Sequence, residues 1–313
     1  MVTRGVQILK KKIERKLIAM DTVISLTVVS SKSEKDIQKS LSRVFDIFHN
    51  IESSCSRFDP DSELRLLSSS TGNPVKVSDI LFQAILFSVE LSKATNGAFD
   101  ITVGNALEKQ GFNKNYLTGE INSSDFRAGL NVSYKDVLID EKKQTVMLTK
   151  PLILDLGAVA KGLAVDLARR ELDEFEGFCI NAGGDIFAKG VNGIGTPWKV
   201  GIQHPLDSMQ ILCKLKISDC AVCTSGSYER KSKKNNRVHH LFDPVKQISS
   251  NEILSCTAIS PFAMLSDALS TAAFILGPEK GLILLEEHGA EGIMITPALE
   301  LKVTSGIERY YYE

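Results

Sequence analysis

A chain of 313 residues, 43% hydrophobic and 24% charged, is long enough to bury one large core or two lobes, as globular enzymes do. The formal net charge of -1 gives no reason to expect nucleic acid or an anionic membrane as a partner. The first sixteen residues are rich in lysine and arginine. They contain no apolar run of signal-peptide or membrane-span length and no cysteine that could be lipidated. We therefore expect a cytoplasmic protein with a basic segment over residues 1–16 and a single domain over residues 17–313.

In chain order, the hydrophobic periodicity predicts a strand over residues 23–29, then amphipathic helices over residues 34–51 and 80–94. Residues 111–131 are polar and contain glycine, which is typical of an exposed excursion. Further strands are predicted at residues 137–139, 145–148, 152–155, 178–180, 198–203, 211–217, 221–224, 239–242, 257–260, 292–295 and 301–303. Further helices are predicted at residues 158–175, after residue 260, and at residues 278–288. This mixture indicates an α+β fold, with helices packed on largely antiparallel sheets.

Six cysteines are present, and one pair, Cys220 and Cys223, has the spacing of a C-x-x-C motif. The pair lies in a predicted strand, where residues three apart face opposite sides. Free thiols in a reducing compartment therefore fit the pattern better than a redox or zinc site.

A carboxylate and a hydroxyl lie one turn apart on the apolar helix near the C-terminus. Ser260 is the predicted N-cap, and glycine and proline at 277–278 end the helix. Asp267 and Thr271 point the same way along a helix with no broad polar face. A buried carboxylate needs a partner, and Mg²⁺ accepts a carboxylate, a hydroxyl and waters together. A structural hydrogen bond between Asp267, as acceptor, and a neighbouring backbone is the open alternative.

A second candidate site lies where the predicted strand at residues 152–155 turns into a helix. A strand-to-helix turn presents free backbone groups, and Lys161 adds a positive charge, which together suit a phosphate-bearing ligand. An ordinary packed turn would show the same pattern. Glycine turns at residues 181–185 and 224–229 allow either tight hairpins or close approach of a ligand to the backbone.

Nine short motifs follow one another from Met20 to the C-terminal region. They are Met-Asp-Thr at 20–22, Ser-Arg-Phe at 56–58, Gly-Ala-Phe-Asp-Ile-Thr-Val-Gly at 97–104, Asp-Leu-Gly-Ala-Val-Ala-Lys-Gly at 155–162, Asn-Ala-Gly-Gly-Asp at 181–185, Trp-Lys-Val-Gly-Ile at 198–202, Thr-Ser-Gly at 224–226, His-Leu-Phe-Asp-Pro at 240–244 and Ser-Asp-Ala-Leu-Ser-Thr at 266–271. In this order the motifs resemble the ApbE family of FAD:protein FMN transferases. The resemblance implies a single ApbE-like (T-fold-like) domain of two closely packed lobes with FAD between them.

The resemblance also implies a reaction and a metal site. The expected activity is Mg²⁺-dependent transfer of FMN from FAD to a threonine or serine hydroxyl of an acceptor flavoprotein, with release of AMP. By resemblance, the side chains of Asp267 and Thr271 and the backbone carbonyl of Ala158 bind the metal. FAD hydrolysis to FMN and AMP, or a non-catalytic FAD carrier, are the alternatives.

For FAD, the family pattern indicates Met20, Phe58, Ala98, Phe99, Asp100, Asp155, Lys161 and His240. His240 is also the expected proton acceptor, and with Asp267 it forms the predicted catalytic pair. The neighbouring His239 is expected to face the opposite way on a strand. Two positions depart from the family pattern: Asp21 replaces a frequent glycine, and Asn105 replaces a frequent proline.

Overall fold

The computed structural model describes residues 10–114, 119, 121, 131–232, 234–235, 238–246 and 248–312. The predicted excursion over residues 111–131 therefore lies mostly outside the described residues. In the described part of the chain, no helix is both long and apolar enough to cross a membrane.

An antiparallel sheet forms the centre of the described structure. Its strands, from one edge to the other, are β1 (Lys11–Ala19), β2 (Thr22–Ser30), β6 (Gly177–Ala182), β7 (Asp185–Gly190), β10 (Cys220–Gly226), β13 (Ser255–Ser260), β14 (Glu291–Ile295) and β15 (Leu301–Val303). Smaller sheets pair β3 (Val75–Lys76) and β4 (Val137–Asp140) with β5 (Thr145–Leu148), β8 (Trp198–His204) with β9 (Asp207–Ile217), and β11 (Phe242–Asp243) with β12 (Ile248–Ser249).

The helices are α1 (Glu34–Cys55), α2 (Glu63–Ser68), α3 (Asp79–Ala94), α4 (Gly104–Lys109), α5 (Ala160–Arg170), α6 (Ala263–Leu276) and α7 (Pro278–Glu287). Short 3-10 helices cover Ile101–Val103, Tyr134–Asp136 and Ile307–Tyr310. Serine side chains begin the first three helices: Ser33, Ser62 and Ser78 each accept a backbone N–H in the first turn. The predicted α+β class is confirmed.

The central strands bury both of their faces, and successive side chains enter different cores. In β10, Ala221 and Cys223 pack with the helices, whereas Cys220 and Val222 pack under the β8–β9 hairpin. The expected opposite orientation of Cys220 and Cys223 is thus confirmed, and both are free thiols. A register slip of one residue would turn each side chain of the strand to the opposite face, and so into the other core.

The main sheet begins with a strand that the sequence pattern does not predict. β1 pairs in full with β2, so residues 11–16 of the basic segment belong to the sheet. Its burial is slight, because most of its side chains are charged and exposed. A lysine-rich edge strand discourages pairing with other chains, and the charge that protects the edge also hides the strand from a hydrophobicity search.

Two other predicted strands are wrong. Residues 152–155 are extended and mostly buried but join no sheet. The Ile153 N–H donates to the Asn105 side chain (2.8 Å), and the Asp155 N–H donates to the Ile101 carbonyl (2.8 Å). At residues 239–242, only Phe242 lies in a strand, and His239 makes an isolated bridge to Lys231. Side-chain and backbone partners that are distant in sequence replace the predicted ladders.

Helices α5 and α6 begin later than predicted, because each is capped by the other. The first residue of α5 is Ala160 rather than residue 158, and α6 begins at Ala263 rather than after a Ser260 cap. Neither N-cap residue has a capping side chain. Asp166 of α5 instead accepts the N–H groups of Ala263 (3.0 Å) and Met264 (2.9 Å) at the start of α6. In return, Asp267 of α6 accepts the Gly162 N–H in the first turn of α5 (3.3 Å).

Close contact between the two helices depends on Gly162. A Cβ atom at this position would lie 2.5 Å from the Ala263 carbonyl oxygen and 2.5 Å from the Met264 Cα atom. Both are backbone atoms, so neither can swing aside. Any side chain at position 162 must therefore push the helices apart.

We expect Gly162→Ala to lower the free energy of unfolding by about 1–3 kcal/mol because of this overlap. Intrinsic helix propensity alone gives the opposite sign, a gain of about 1 kcal/mol. Urea denaturation measures the change. Gly193→Ala is the matched control, since its added methyl would lie at an ordinary 3.7 Å from the Lys12 side chain. A Gly162→Ala protein as stable as the parent would show that the backbones are not in contact.

Candidate active site

Three charged side chains meet beside the α5–α6 contact. The Lys161 ammonium forms an ion pair with Asp185 of β7 and lies 3.5 Å from Asp267 Oδ2. Both carboxylates are almost fully buried. Burial and the neighbouring Asp185 charge raise the pKa of Asp267, although Lys161 and the Gly162 N–H act against this shift. The two carboxylates compensate for burial and raise the pKa of Lys161, so two negative charges share one positive charge.

The structural alternative considered for Asp267 is present, because its carboxylate caps α5. That hydrogen bond uses only part of the accepting capacity of the carboxylate, which has about four lone-pair sites. Asp267 also lines an open cavity. The residue therefore combines a structural contact with an accessible, incompletely neutralised charge.

Thr271 lies one helical turn beyond Asp267 and lines the same cavity. Its hydroxyl is 2.9 Å from the Ser225 hydroxyl, which is itself 2.8 Å from the Ser270 hydroxyl. Ala158, before α5, also lines the cavity. The three metal ligands implied by the family resemblance therefore line the same cavity.

The donor set at this wall fits Mg²⁺. A carboxylate, a hydroxyl and a carbonyl are hard oxygen ligands, and a cation would offset the excess negative charge of Asp185 and Asp267. Within the described residues, no group of three or more His, Cys, Asp or Glu side chains is arranged to hold a metal. A metal site here therefore relies on the hydroxyl and the carbonyl as well as on Asp267.

The cavity has a volume of about 490 Å³ and collects most of the predicted FAD residues. Those on its wall are Phe58, Phe99, Asp100, Asp155, Lys161 and His240. Met20 lines a smaller adjoining pocket of about 100 Å³, which shares Phe58, Asp155 and Lys161 with the main cavity. Ala98 is half-buried and lines neither space. The predicted ligand side chains thus converge, with Ala98 as the exception.

Asp155 is held ionised by a residue to which we had assigned no role. The Arg57 guanidinium pairs with Asp155, donates to the Phe112 carbonyl (2.5 Å) and stacks 4.2 Å from the centre of the Phe58 ring. Burial opposes ionisation, but Arg57 and the Gly157 N–H outweigh it and lower the pKa of Asp155. Arg57 therefore fixes one anionic and one aromatic group of the cavity wall.

The carboxylate of Asp100 is already engaged by the protein. One oxygen accepts from the N–H and hydroxyl of Thr102 (2.8 Å each), and the other accepts from the Tyr134 N–H (2.8 Å). Burial nonetheless raises the pKa of Asp100. Its first function is to begin the Ile101–Val103 3-10 helix, and any ligand contact would be additional.

The neighbouring residues His239 and His240 face different surroundings, as expected. They do so although neither lies in a β-strand. His240 lines the cavity. Burial and the nearby Arg230 charge lower the pKa of His240 to about 3, so its imidazole is neutral near pH 7. His239 is buried elsewhere, with its ring nitrogen Nε2 2.8 Å from the Ser250 carbonyl and its ring edge against Phe274. Only His240 is therefore placed to exchange a proton with a molecule in the cavity.

The Met-Asp-Thr motif forms the tight turn between β1 and β2. Met20 and Asp21 both have positive φ angles, 53° and 58°. The paired residues on either side, Ala19 and Thr22, leave a two-residue hairpin of the type that favours glycine. Asp21 lines both the cavity and the adjoining pocket. The departure from glycine thus places a carboxylate at the site while keeping the left-handed turn.

Several cavity residues had no assigned role. They are Arg57, Asp185, Ser225 and Arg230, together with residues 200–203 of β8. Asp185 is the last residue of the motif at 181–185, and Ser225 lies within the motif at 224–226. The only sequence signal for their roles is that they carry a carboxylate and a hydroxyl. Their partners lie 24 and 46 residues away, so spacing along the chain could not reveal the contacts.

Comparison with known proteins agrees with the motif resemblance. The ApbE family model matches residues 20–294. The FAD:protein FMN transferase of Escherichia coli K12 is 31% identical over 253 residues, covering 77% of this chain and 72% of that protein. The FAD:protein FMN transferase of Treponema pallidum is 28% identical over 329 residues, covering 95% and 88%.

Solved structures show the same fold. The ApbE protein of Thermotoga maritima superposes with a TM-score of 0.85 at 27% identity, covering 97% of this chain and all of that one. The flavin transferase ApbE of Vibrio cholerae gives a TM-score of 0.83 at 23% identity, covering 96% and 99%, and supports the fold alone. From its motifs, its fold and the family model together, this chain belongs to the ApbE family.

Proposed function

We propose that this protein transfers FMN from FAD to a threonine or serine hydroxyl of an acceptor flavoprotein, with Mg²⁺ bound and with release of AMP. The relatives named FAD:protein FMN transferase support flavin transfer. The observation that carries the proposal is the convergence of Asp267, Thr271, Lys161 and His240 on one cavity. A passive carrier has no need for a buried, incompletely neutralised acid and a neutral histidine in the same cavity.

The reaction forms one bond and breaks another at phosphorus. The acceptor oxygen bonds to the FMN phosphorus, the bond from that phosphorus to the bridging oxygen breaks, and AMP leaves with the electron pair. Mg²⁺, held by Asp267, Thr271 and the Ala158 carbonyl, would neutralise charge on the phosphates. Lys161 would add positive charge next to the same phosphates.

His240 would take the proton of the acceptor hydroxyl. A general base must be unprotonated, and this ring is neutral at neutral pH. The negative phosphates of bound FAD would raise its pKa from the low value and make it a stronger proton acceptor. The Arg230 carbonyl accepts from the His240 backbone N–H (3.2 Å) and lies 3.4 Å from the ring nitrogen Nδ1, so it holds both the backbone and the ring.

A direct assay follows AMP and protein-bound flavin. The purified protein is incubated with FAD and Mg²⁺, with and without a threonine-containing acceptor, and with EDTA as a control. Acceptor-dependent covalent flavin with an equal amount of AMP supports transfer. AMP release without any covalent flavin would instead make the protein an FAD pyrophosphatase, and no AMP under any condition would make it a carrier.

We expect Asp267→Asn to lower Mg²⁺-dependent AMP release by about 10²-fold or more, since it removes the charged metal ligand. The amide oxygen can still accept the Gly162 N–H, so the protein should fold. Asp166→Asn is the matched control, because Asp166 caps α6 but lies outside the cavity wall. Parental turnover by Asp267→Asn would remove the metal assignment. A loss in the Asp166 variant of the same size would mean that helix capping alone sets the rate.

We expect His240→Ala to slow flavin transfer by about 10²–10⁴-fold at saturating FAD and Mg²⁺, while FAD affinity changes much less. His239→Ala removes a buried ring and should lower stability, but the folded protein should keep its rate. Covalent flavin fluorescence on the acceptor measures the rate, and a parallel titration measures FAD binding. If FAD binding falls as much as the rate in His240→Ala, the histidine binds substrate rather than moving a proton.

A further inference from the structure

One wall of the cavity is formed by the edge of a strand. Residues 200–203 of β8 all line the cavity. Val200 and Ile202 point into the core under the hairpin, while Gly201 and Gln203 face the other way. Because consecutive residues with opposite orientations border one space, we infer that the cavity meets the edge of this strand.

This edge has no strand partner in the described part of the chain, where β8 pairs with β9 alone. The far edge of β9 is partly covered, since Leu215 bridges to Tyr311 and the Tyr312 N–H donates to the Lys214 carbonyl (3.0 Å). The β8 edge that borders the cavity is thus a template for an extended chain.

The hairpin continues beyond the cavity as an exposed apolar surface. Its members are Leu206, Met209 and Ile211, of which 68%, 90% and 56% are exposed. Ile211 touches this wall directly, because a Cβ atom on Gly201 would lie 2.7 Å from its Cδ1. The apolar surface is therefore continuous with the cavity wall.

Met209 is exposed because the hairpin is bulged. Gln203 pairs with Ile211 and His204 pairs with Asp207, so residues 208–210 have no partners on β8. The bulge is held in shape by Asp207, whose carboxylate accepts the Met209 N–H (3.0 Å) and the Gln210 side-chain amide (2.7 Å). Bulges often redirect side chains next to functional sites. Methionine adapts to apolar partners of varied shape.

We propose that the free edge of β8 and the apolar surface of Leu206, Met209 and Ile211 bind the acceptor polypeptide. The occupant is an extended acceptor segment that pairs with β8 through its main chain and rests an apolar side chain on the hairpin. The FAD residues implied by the family pattern do not include β8, so this part of the wall is left for the second substrate. The inference rests on the proposed transfer reaction and adds how its acceptor is recognised.

The test uses synthetic twelve-residue peptides with one central threonine and varied flanking residues, screened for covalent flavin fluorescence with the parent protein. For the best substrate, Met209→Asp and Ile211→Asp should each raise KM for the peptide at least tenfold. The kcat at saturating peptide and the affinity for FAD should stay within twofold of the parent. Ile283→Asp is the matched control, because Ile283 on α7 is 54% exposed and should leave KM unchanged.

Main-chain pairing has its own readout in the peptide. Methylating single backbone nitrogens should raise KM at alternate positions only, because every second N–H faces β8. Parental KM for both aspartate variants, or methylation effects without this alternation, would overturn the docking proposal while leaving transfer intact. An equal rise in KM for Ile283→Asp, or a change of oligomeric state in the hairpin variants, would also overturn it. A parent that modifies no threonine peptide or protein would contradict the proposed function itself.

Discussion

The reciprocal capping of α5 and α6 is the interaction on which the rest of the site depends. Each helix begins without a side-chain cap of its own, and each receives a carboxylate from the other. Gly162 lets the two backbones touch, and this contact determines where the first turn of α5 lies. Lys161 and Asp267 become neighbours as a direct consequence. A structural constraint between two helices thus assembles the charged part of the candidate active site.

The charge balance of this site explains why a buried acid can be useful. Lys161 forms a close ion pair with Asp185 and only partly compensates Asp267, whose pKa is raised and which lies one helical turn from the Thr271 hydroxyl. In an apolar interior, an uncompensated charge is costly, and a bound cation would remove the cost. The carboxylate of Asp155, which lines the same cavity, has a different environment. It forms a direct ion pair with the Arg57 guanidinium, which compensates its negative charge. We therefore propose different partners for the two carboxylates, a metal ion for Asp267 and a neutral donor for Asp155.

Local patterns allowed much of the fold to be predicted, whereas contacts between distant segments did not follow from the sequence. Helix α3 and strand β5 match their predicted ranges closely, because apolar periodicity and serine caps are local signals. The apolar run at residues 152–155 predicts a strand, because the run looks the same whether its backbone pairs with a neighbouring strand or bonds to the side chain of Asn105. The sequence pattern does not reveal the edge strand β1 for the opposite reason, since its many charged side chains leave almost no hydrophobic signal.

The candidate site shows the same difference between local sequence signals and contacts between distant segments. Asp267, Thr271, Lys161 and His240 could be selected from sequence, because their residue types and motifs carry chemistry. The ion pair of Lys161 with Asp185 and the ion pair of Arg57 with Asp155 could not, because each joins segments that meet only in the folded chain. The role that we propose for β8 has no sequence signal either, since a strand edge offers backbone groups and has no characteristic side chain.

The central claim is that Asp267, Thr271 and the Ala158 carbonyl hold a divalent cation beside the phosphates of FAD. Anomalous diffraction from crystals grown with FAD and Mn²⁺ in place of Mg²⁺ tests it most directly. The account predicts one anomalous peak about 2.0–2.2 Å from oxygens of these three residues, with flavin density in the cavity. A peak bound elsewhere, or FAD bound with no peak at Asp267, would contradict it.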